Sequence, residues 1–285
     1  MNAAFDRRFT PARADIAAES LRGSLDAPRY APARPMRVVE ECLPLSREPR
    51  RDIPIDTQAL FGELVDIYDV DDEGWAWGQL RSDGYVGYLP ALGLRDAGAG
   101  ATQGIAALRA HVYPGPDMKL PPVAALPLGA RFAAGETRGD FIAVPGHGFV
   151  WLAHTAPLAA RAPDFVAVAE RFLNTPYLWG GKTSMGIDCS GLAQVSLAAA
   201  GIAAPRDTDV MEKALGEPLA FDESLSGLRR GDLVFWKGHV GVMRDAEALL
   251  HANGHFMLVT SEPLRVARDR VAEKAGGAIT SIRRL

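Results

Sequence analysis

The chain has 285 residues, 48% of them hydrophobic, with 31 Lys and Arg against 35 Asp and Glu and a net charge of −4. That length allows two or three domains with a sizeable core, and the acidic balance argues against nucleic acid or an anionic membrane as the main partner. Two cysteines make no disulfide framework, and neither an apolar leader nor a run of about 18 apolar residues occurs, so the expected location is cytoplasmic.

Residues 1–52 are rich in Arg, Ala and Pro. Thr10-Pro11 reads as a helix start and Gly23 as its stop, and the remainder reads as an extended arm laid over the domains. From residue 53 to 97 short strands alternate apolar and polar positions between the turns Asp71-Asp72-Glu73-Gly74 and Ser82-Asp83-Gly84. The pattern returns over 103–157: Gly84-Tyr85-Val86-Gly87-Tyr88-Leu89 is echoed by Gly148-Phe149-Val150-Trp151-Leu152, and Leu60-Phe61-Gly62 by Pro127-Leu128-Gly129. Both stretches resemble bacterial SH3 domains. Between Asp52 and Leu80 there are acids but no Lys or Arg, a solvated acidic rim for the most part. Glu63 differs, because it follows the apolar Ala59-Leu60-Phe61 and Gly62.

After a short linker, residues 163–285 change character. Phe165, Val168, Ala169, Phe172 and Leu173 form one helical stripe. From Cys189 apolar positions recur at helical spacing until Gly201, so Cys189 opens a helix, where the dipole and unpaired N–H groups favour a thiolate. Cys189 is therefore the candidate nucleophile, and Cys42 a small buried hydrophobe. Leu233–Trp236, His239–Met243 and Ala248–Ala252 read as successive strands, with a further strand at 256–260, a helix at 264–272 and a last strand at 280–284. A hairpin centred on Asp245 sets His239 opposite His251, giving a nucleophile, a base and a third group that orients the base. His111, His147, His154 and His255 lack ligand spacing, which argues against a metal site, and no cofactor is implied. Trp179 reads as a core aromatic. The fold class is α+β, a helix carrying the nucleophile against an antiparallel sheet carrying the histidines.

Tyr177-x-Trp179-Gly180-Gly181, Asp188-Cys189-Ser190-Gly191-Leu192, Pro205-Arg206, Gly231-Asp232-Leu233, Gly238-His239-Val240-Gly241 and His251-Ala252, in this order, resemble the signature of the NlpC-type peptidases, papain-like cysteine hydrolases of bacterial cell-wall peptides. The resemblance implies Cys189, His239 and His251 as the triad, with Tyr177 beside the oxyanion. It further implies that Glu63, Tyr85, Asp188 and Ser190 grip the free amine of an N-terminal L-Ala, although Asp188 also suits a helix cap. The implied substrates are murein peptides such as L-Ala-γ-D-Glu-diaminopimelate, cut between γ-D-Glu and the diamino acid, diaminopimelate or Lys, during wall recycling. Two other readings stay open: an amidase or acyl transferase using the same thiol, and a non-catalytic binder of wall peptides.

Overall fold

The computed structural model describes residues 5–273 and 277–285, and the chain divides into two units, Met1–Leu158 and Ala159–Leu285. Residues 1–4 of the expected arm lie outside the described residues.

In the first unit Leu64–Val70, Trp75–Leu80 and Val86–Pro90 form an antiparallel meander. The Asp71 carboxylate accepts from the N–H groups of Glu73 and Trp75 and so closes the first turn. The sheet begins earlier than residue 53. Arg34–Val38 pairs with both the Leu64 strand and Leu94–Asp96, and Cys42–Leu45 pairs with Thr57–Leu60. The reason is burial: Val38, Leu43 and Leu45 complete the apolar cluster of Val65, Ile67, Ala76, Leu80 and Leu89. Cys42 is only half-buried and receives the Gln58 amide at 3.5 Å.

The expected helix between Thr10 and Gly23 is absent. Ala17–Ala18 pairs in parallel with Tyr30–Ala31, and only Glu19–Leu21 makes a 3-10 turn. The residues just before Thr10 bond to the barrel, Arg8 O accepting from Val86 N–H and Phe9 O from the Gln79 amide. Ile16 is buried beside Trp77 and Val86, and the Arg13 guanidinium lies 4.9 Å from the centroid of Trp77 while pairing with Asp69. Burying Ile16 contributes roughly 2–3 kcal/mol, more than local helix propensity offers.

The second repeat builds a five-stranded sheet from Ala124–Pro127, Arg109–Tyr113, Gly148–Trp151, Phe141–Val144 and Thr137–Arg138, and a three-stranded one around Gln103–Ile105. The echoed motifs behave alike: each supplies a strand, then a 3-10 turn (Ala91–Gly93, Leu152–His154), then a closing strand. Phe61 leaves its own repeat and is buried with Ile105, Val112 and Val150 of the other. Gly62, at φ +80°, follows; a Cβ there would lie 1.8 Å from the Arg131 carbonyl oxygen, so only glycine fits.

Among the described residues the second unit has four helices: α1 (Phe165–Glu170), α2 (Cys189–Ala199), α3 (Thr208–Ala214) and α4 (Leu264–Glu273). The first stops short of the expected stripe, since residues 171–174 continue as turns and Asn174 N–H donates to Val259 O. An antiparallel sheet runs in the order Glu217–Pro218, Ser281–Arg284, Leu233–Trp236, His239–Met243, Ala248–Asn253, Leu258–Pro263. Helix α2 is buried all round from Cys189 to Leu197 and has no solvent stripe in that stretch. Its residues Ala193 and Leu197 pack with Leu233, Phe235, Val240 and Val242 of the sheet. A helix laid on the histidine strands is the α+β arrangement expected.

Candidate active site

Asp188 precedes α2 in extended conformation and its carboxylate caps the helix by accepting from Gly191 N–H at 2.6 Å. The other carboxylate oxygen accepts from Gly180 N–H at 2.8 Å, which ties the Tyr177–Gly181 turn to the helix start. Arg206, only 1% exposed, donates to Asp188 at 2.7 Å and to the Ser190 hydroxyl at 2.7 Å, and the Ser190 hydroxyl lies 3.4 Å from Asp188. The Gln194 amide holds Ala204 O at 3.0 Å and so fixes the Pro205-Arg206 loop on α2. Asp188 and Ser190 are thus already engaged by a buried guanidinium and by backbone donors. The capping role read from the sequence is the one the geometry displays.

Cys189 is buried at 8% exposure in one cluster with Val240 of the His239 strand, and the N–H groups of Ser190 and Val240 favour its charged form. Burial, with the Asp188 charge, pushes the thiol up to about 12, the two N–H groups and Arg206 offsetting only part of this. Burial, with His251 and Arg270, pushes His239 down to about 3, against the pull of Glu262. Both shifts favour a neutral thiol beside a neutral imidazole. The expectation of a thiolate at the helix start is therefore corrected: desolvation outweighs the dipole.

His239 and His251 meet, though by a different register from the one expected. Val242 pairs with Leu250 and Met243 with Leu249, two residues displaced from the pairing that set His239 opposite His251. A displacement of two keeps both rings on one face, and they touch diagonally, His239 Nε2 lying 2.8 Å from His251 Nδ1. His251 is 1% exposed, and its Nε2 lies 2.8 Å from a carboxylate oxygen of Glu262 on the next strand. Arg270 of α4 clasps that carboxylate through both terminal nitrogens, one at 2.6 Å. Trp236 covers the other side of His239, the ring centroids 5.6 Å apart. Sequence reasoning missed Glu262 and Arg270. The acid two residues beyond the 256–260 strand was its only signal.

Tyr177 is half-buried, with its N–H on Met257 O at 2.9 Å, and burial, with the Cys189 and Asp188 charges, raises its hydroxyl well above the usual tyrosine range. Trp179 is 63% exposed and so no core aromatic; Leu178, not Trp179, fills the space against Gly186. Asp232 of the Gly231-Asp232-Leu233 motif is structural, buried and clasped by Arg284 at 2.7 Å through both carboxylate oxygens. Glu63 and Tyr85 belong to the first unit. The Glu63 carboxylate is buried and accepts from Leu60 N–H at 2.8 Å, and the Tyr85 ring meets Phe9 edge-on at 5.6 Å. Among the described residues no group of three His, Cys, Asp or Glu could hold a metal ion.

Residues 174–268 match the family model described as NlpC/P60 family, and residues 45–94 the model described as bacterial dipeptidyl-peptidase Sh3 domain. Dipeptidyl-peptidase 6 of Lysinibacillus sphaericus is 34% identical over 100 residues, 35% of each chain. Gamma-D-glutamyl-L-lysine dipeptidyl-peptidase of Bacillus subtilis (strain 168) is 33% identical over 118 residues, 38% of each chain. The chain thus spans little more than a third of the length of these relatives. A solved NlpC/P60 family protein from Bacillus cereus ATCC 10987, 18% identical, covers 88% of this chain and 99% of its own at a TM-score of 0.69, a likeness of fold. The fold is thus the papain-like one of NlpC/P60 proteins, and the chain carries an NlpC/P60 family domain over residues 174–268 with a bacterial SH3 domain over 45–94 ahead of it.

Proposed function

We propose that the chain is a cysteine peptidase of murein peptides that hydrolyses the bond between γ-D-glutamate and the diamino acid, in peptides with a free N-terminal L-Ala. The observation that carries the reading is the 2.8 Å bond between His239 Nε2 and His251 Nδ1, on a strand whose Val240 shares a buried cluster with Cys189. With Nε2 committed, Nδ1 is the nitrogen of His239 left to take the thiol proton. As that proton moves to Nδ1, Cys189 Sγ bonds to the carbonyl carbon, and its oxygen gains the negative charge. The Cys189 N–H, unspent at a helix start, and the Tyr177 hydroxyl, which stays protonated, are the donors for that oxygen. The imidazolium then protonates the departing amine, leaving a thioester, and the neutral ring draws a proton from water to release the acyl group.

The names of the two curated relatives support a peptidase, that of the Bacillus subtilis protein one acting at γ-D-glutamyl-L-lysine; the wall origin of the peptide, diaminopimelate and the amine requirement come from the resemblance in the motifs. In this reading the substrates are soluble wall fragments met in the cytoplasm during recycling. Mass spectrometry of L-Ala-γ-D-Glu-diaminopimelate after incubation is expected to give L-Ala-γ-D-Glu and free diaminopimelate, with no cleavage by Cys189→Ala. A different scissile bond, or cleavage by the Ala variant, overturns the proposal. Unchanged cleavage of the N-acetylated tripeptide overturns the amine requirement alone.

A further inference from the structure

Three strands carry a diagonal line of polar groups across one face: His239, His251 and Glu262. Leu249 pairs with Glu262 and His251 with Thr260, so Glu262 sits one step along the face from His251, as His239 does on the other side. Glu262 is held from behind by Arg270, whose guanidinium also lies 5.3 Å from the centroid of Phe256. The charged groups facing the two rings are Glu262 from its strand and Arg270 from α4. Against burial, which raises it, Arg270 and the His251 bond hold the Glu262 carboxyl down to about 2. It is therefore an anion at any working pH and accepts only.

We propose that Glu262 and Arg270 are positioning residues that set the tautomers of both histidines. An ionised carboxylate requires a proton on His251 Nε2. Neutral His251 then has a bare Nδ1, which requires a proton on His239 Nε2, and neutral His239 then has a bare Nδ1 for the thiol proton. Without Glu262, His251 can carry its proton on Nδ1, and His239 must then turn its proton-bearing nitrogen towards the sulfur, where it cannot act as a base. Arg270 keeps the carboxylate ionised and aimed, and its charge tempers the basicity that Glu262 confers.

This proposal rests on the peptidase reading only for its consequences in rate; the tautomers are read without substrate. Nitrogen-15 spectra of the histidine rings are expected to show both His239 and His251 protonated on Nε2 in the wild type. Glu262→Leu populates Nδ1–H forms and lowers kcat/KM for the tripeptide about 10- to 100-fold, mostly in kcat. Glu262→Gln, which still offers an oxygen, recovers the Nε2–H forms. The acid limb of kcat/KM moves in opposite directions: down in Glu262→Gln, which loses the anion favouring imidazolium, and up in Arg270→Leu, which loses the opposing cation. A purely structural pair cannot produce shifts of opposite sign. Ring spectra of Glu262→Leu identical to wild type, or limbs moving together, overturn the proposal. If the wild type fails to cleave the tripeptide while the spectra change as described, the peptidase reading falls and the tautomer relay stands.

Discussion

Arg206 offers the most severe test of how the nucleophile is seated. It is 1% exposed, and its two terminal nitrogens hold Asp188 and Ser190, the residues flanking Cys189, at 2.7 Å each. Replacing it with Met keeps much of the volume and strands a carboxylate that is 7% exposed, leaving only the two backbone N–H bonds and the Ser190 hydroxyl. Breaking a buried ion pair from one side costs about 3–5 kcal/mol. For a unit of this size that corresponds to a fall in Tm of roughly 12–20 °C, measured by circular dichroism. Asp188→Asn alone removes the carboxylate charge facing the guanidinium but keeps the cap, since Asn caps about as well as Asp. The double variant contains neither charge, so its loss should be smaller than the sum of the singles by at least about 2 kcal/mol. An Arg206→Met melting within 2 °C of wild type, or strictly additive losses, would refute the claim that a desolvated pair holds the start of α2.

The remaining expectations are simpler to check. Because burial pushes the Cys189 thiol up to about 12, iodoacetamide should label it at pH 7 no faster than a model thiol, with a rate still climbing at pH 10. A plateau between pH 5 and 9 would instead reveal a preformed thiolate–imidazolium pair. A Cβ at Gly191 would lie 2.2 Å from the Gly181 carbonyl oxygen and 2.9 Å from the Asp188 carboxylate, so Gly191→Ala should cost about 1–3 kcal/mol in urea unfolding and lower kcat by displacing the Tyr177–Gly181 turn. Trp179→Ala, at a 63% exposed position, should change stability by no more than about 0.5 kcal/mol; a larger loss would restore its reading as a core aromatic.

What could be read from the sequence follows the range of the forces involved. The start of α2 was legible because its cap lies three residues from the N–H it satisfies, and the stop at Gly201 because φ is +82° there. The N-terminal segment was misread because its structure is imposed from outside, by Trp77, Val86 and Asp69. The start of the first barrel failed for the same reason: Arg34–Val38 is a strand only because a partner waits on each side.

The hairpin bearing the histidines shows where local reasoning bends without breaking. The Asp245 carboxylate captures the N–H groups of both Glu247 and Ala248, and Arg244 N–H reaches Ala248 O, so the turn centres on Ala246, one residue beyond the position expected. Moving the centre by one residue moves the pairing by two, and a strand's side chains repeat every two residues. His239 and His251 were therefore bound to share a face under either register, and only their exact opposition was lost. Glu262 sits on the same face by the same parity, but its meaning depends on Arg270 arriving from α4, and no periodicity records that arrival. Strand alternation tells which side chains look the same way; the company they keep there is decided by elements brought in from elsewhere in the chain.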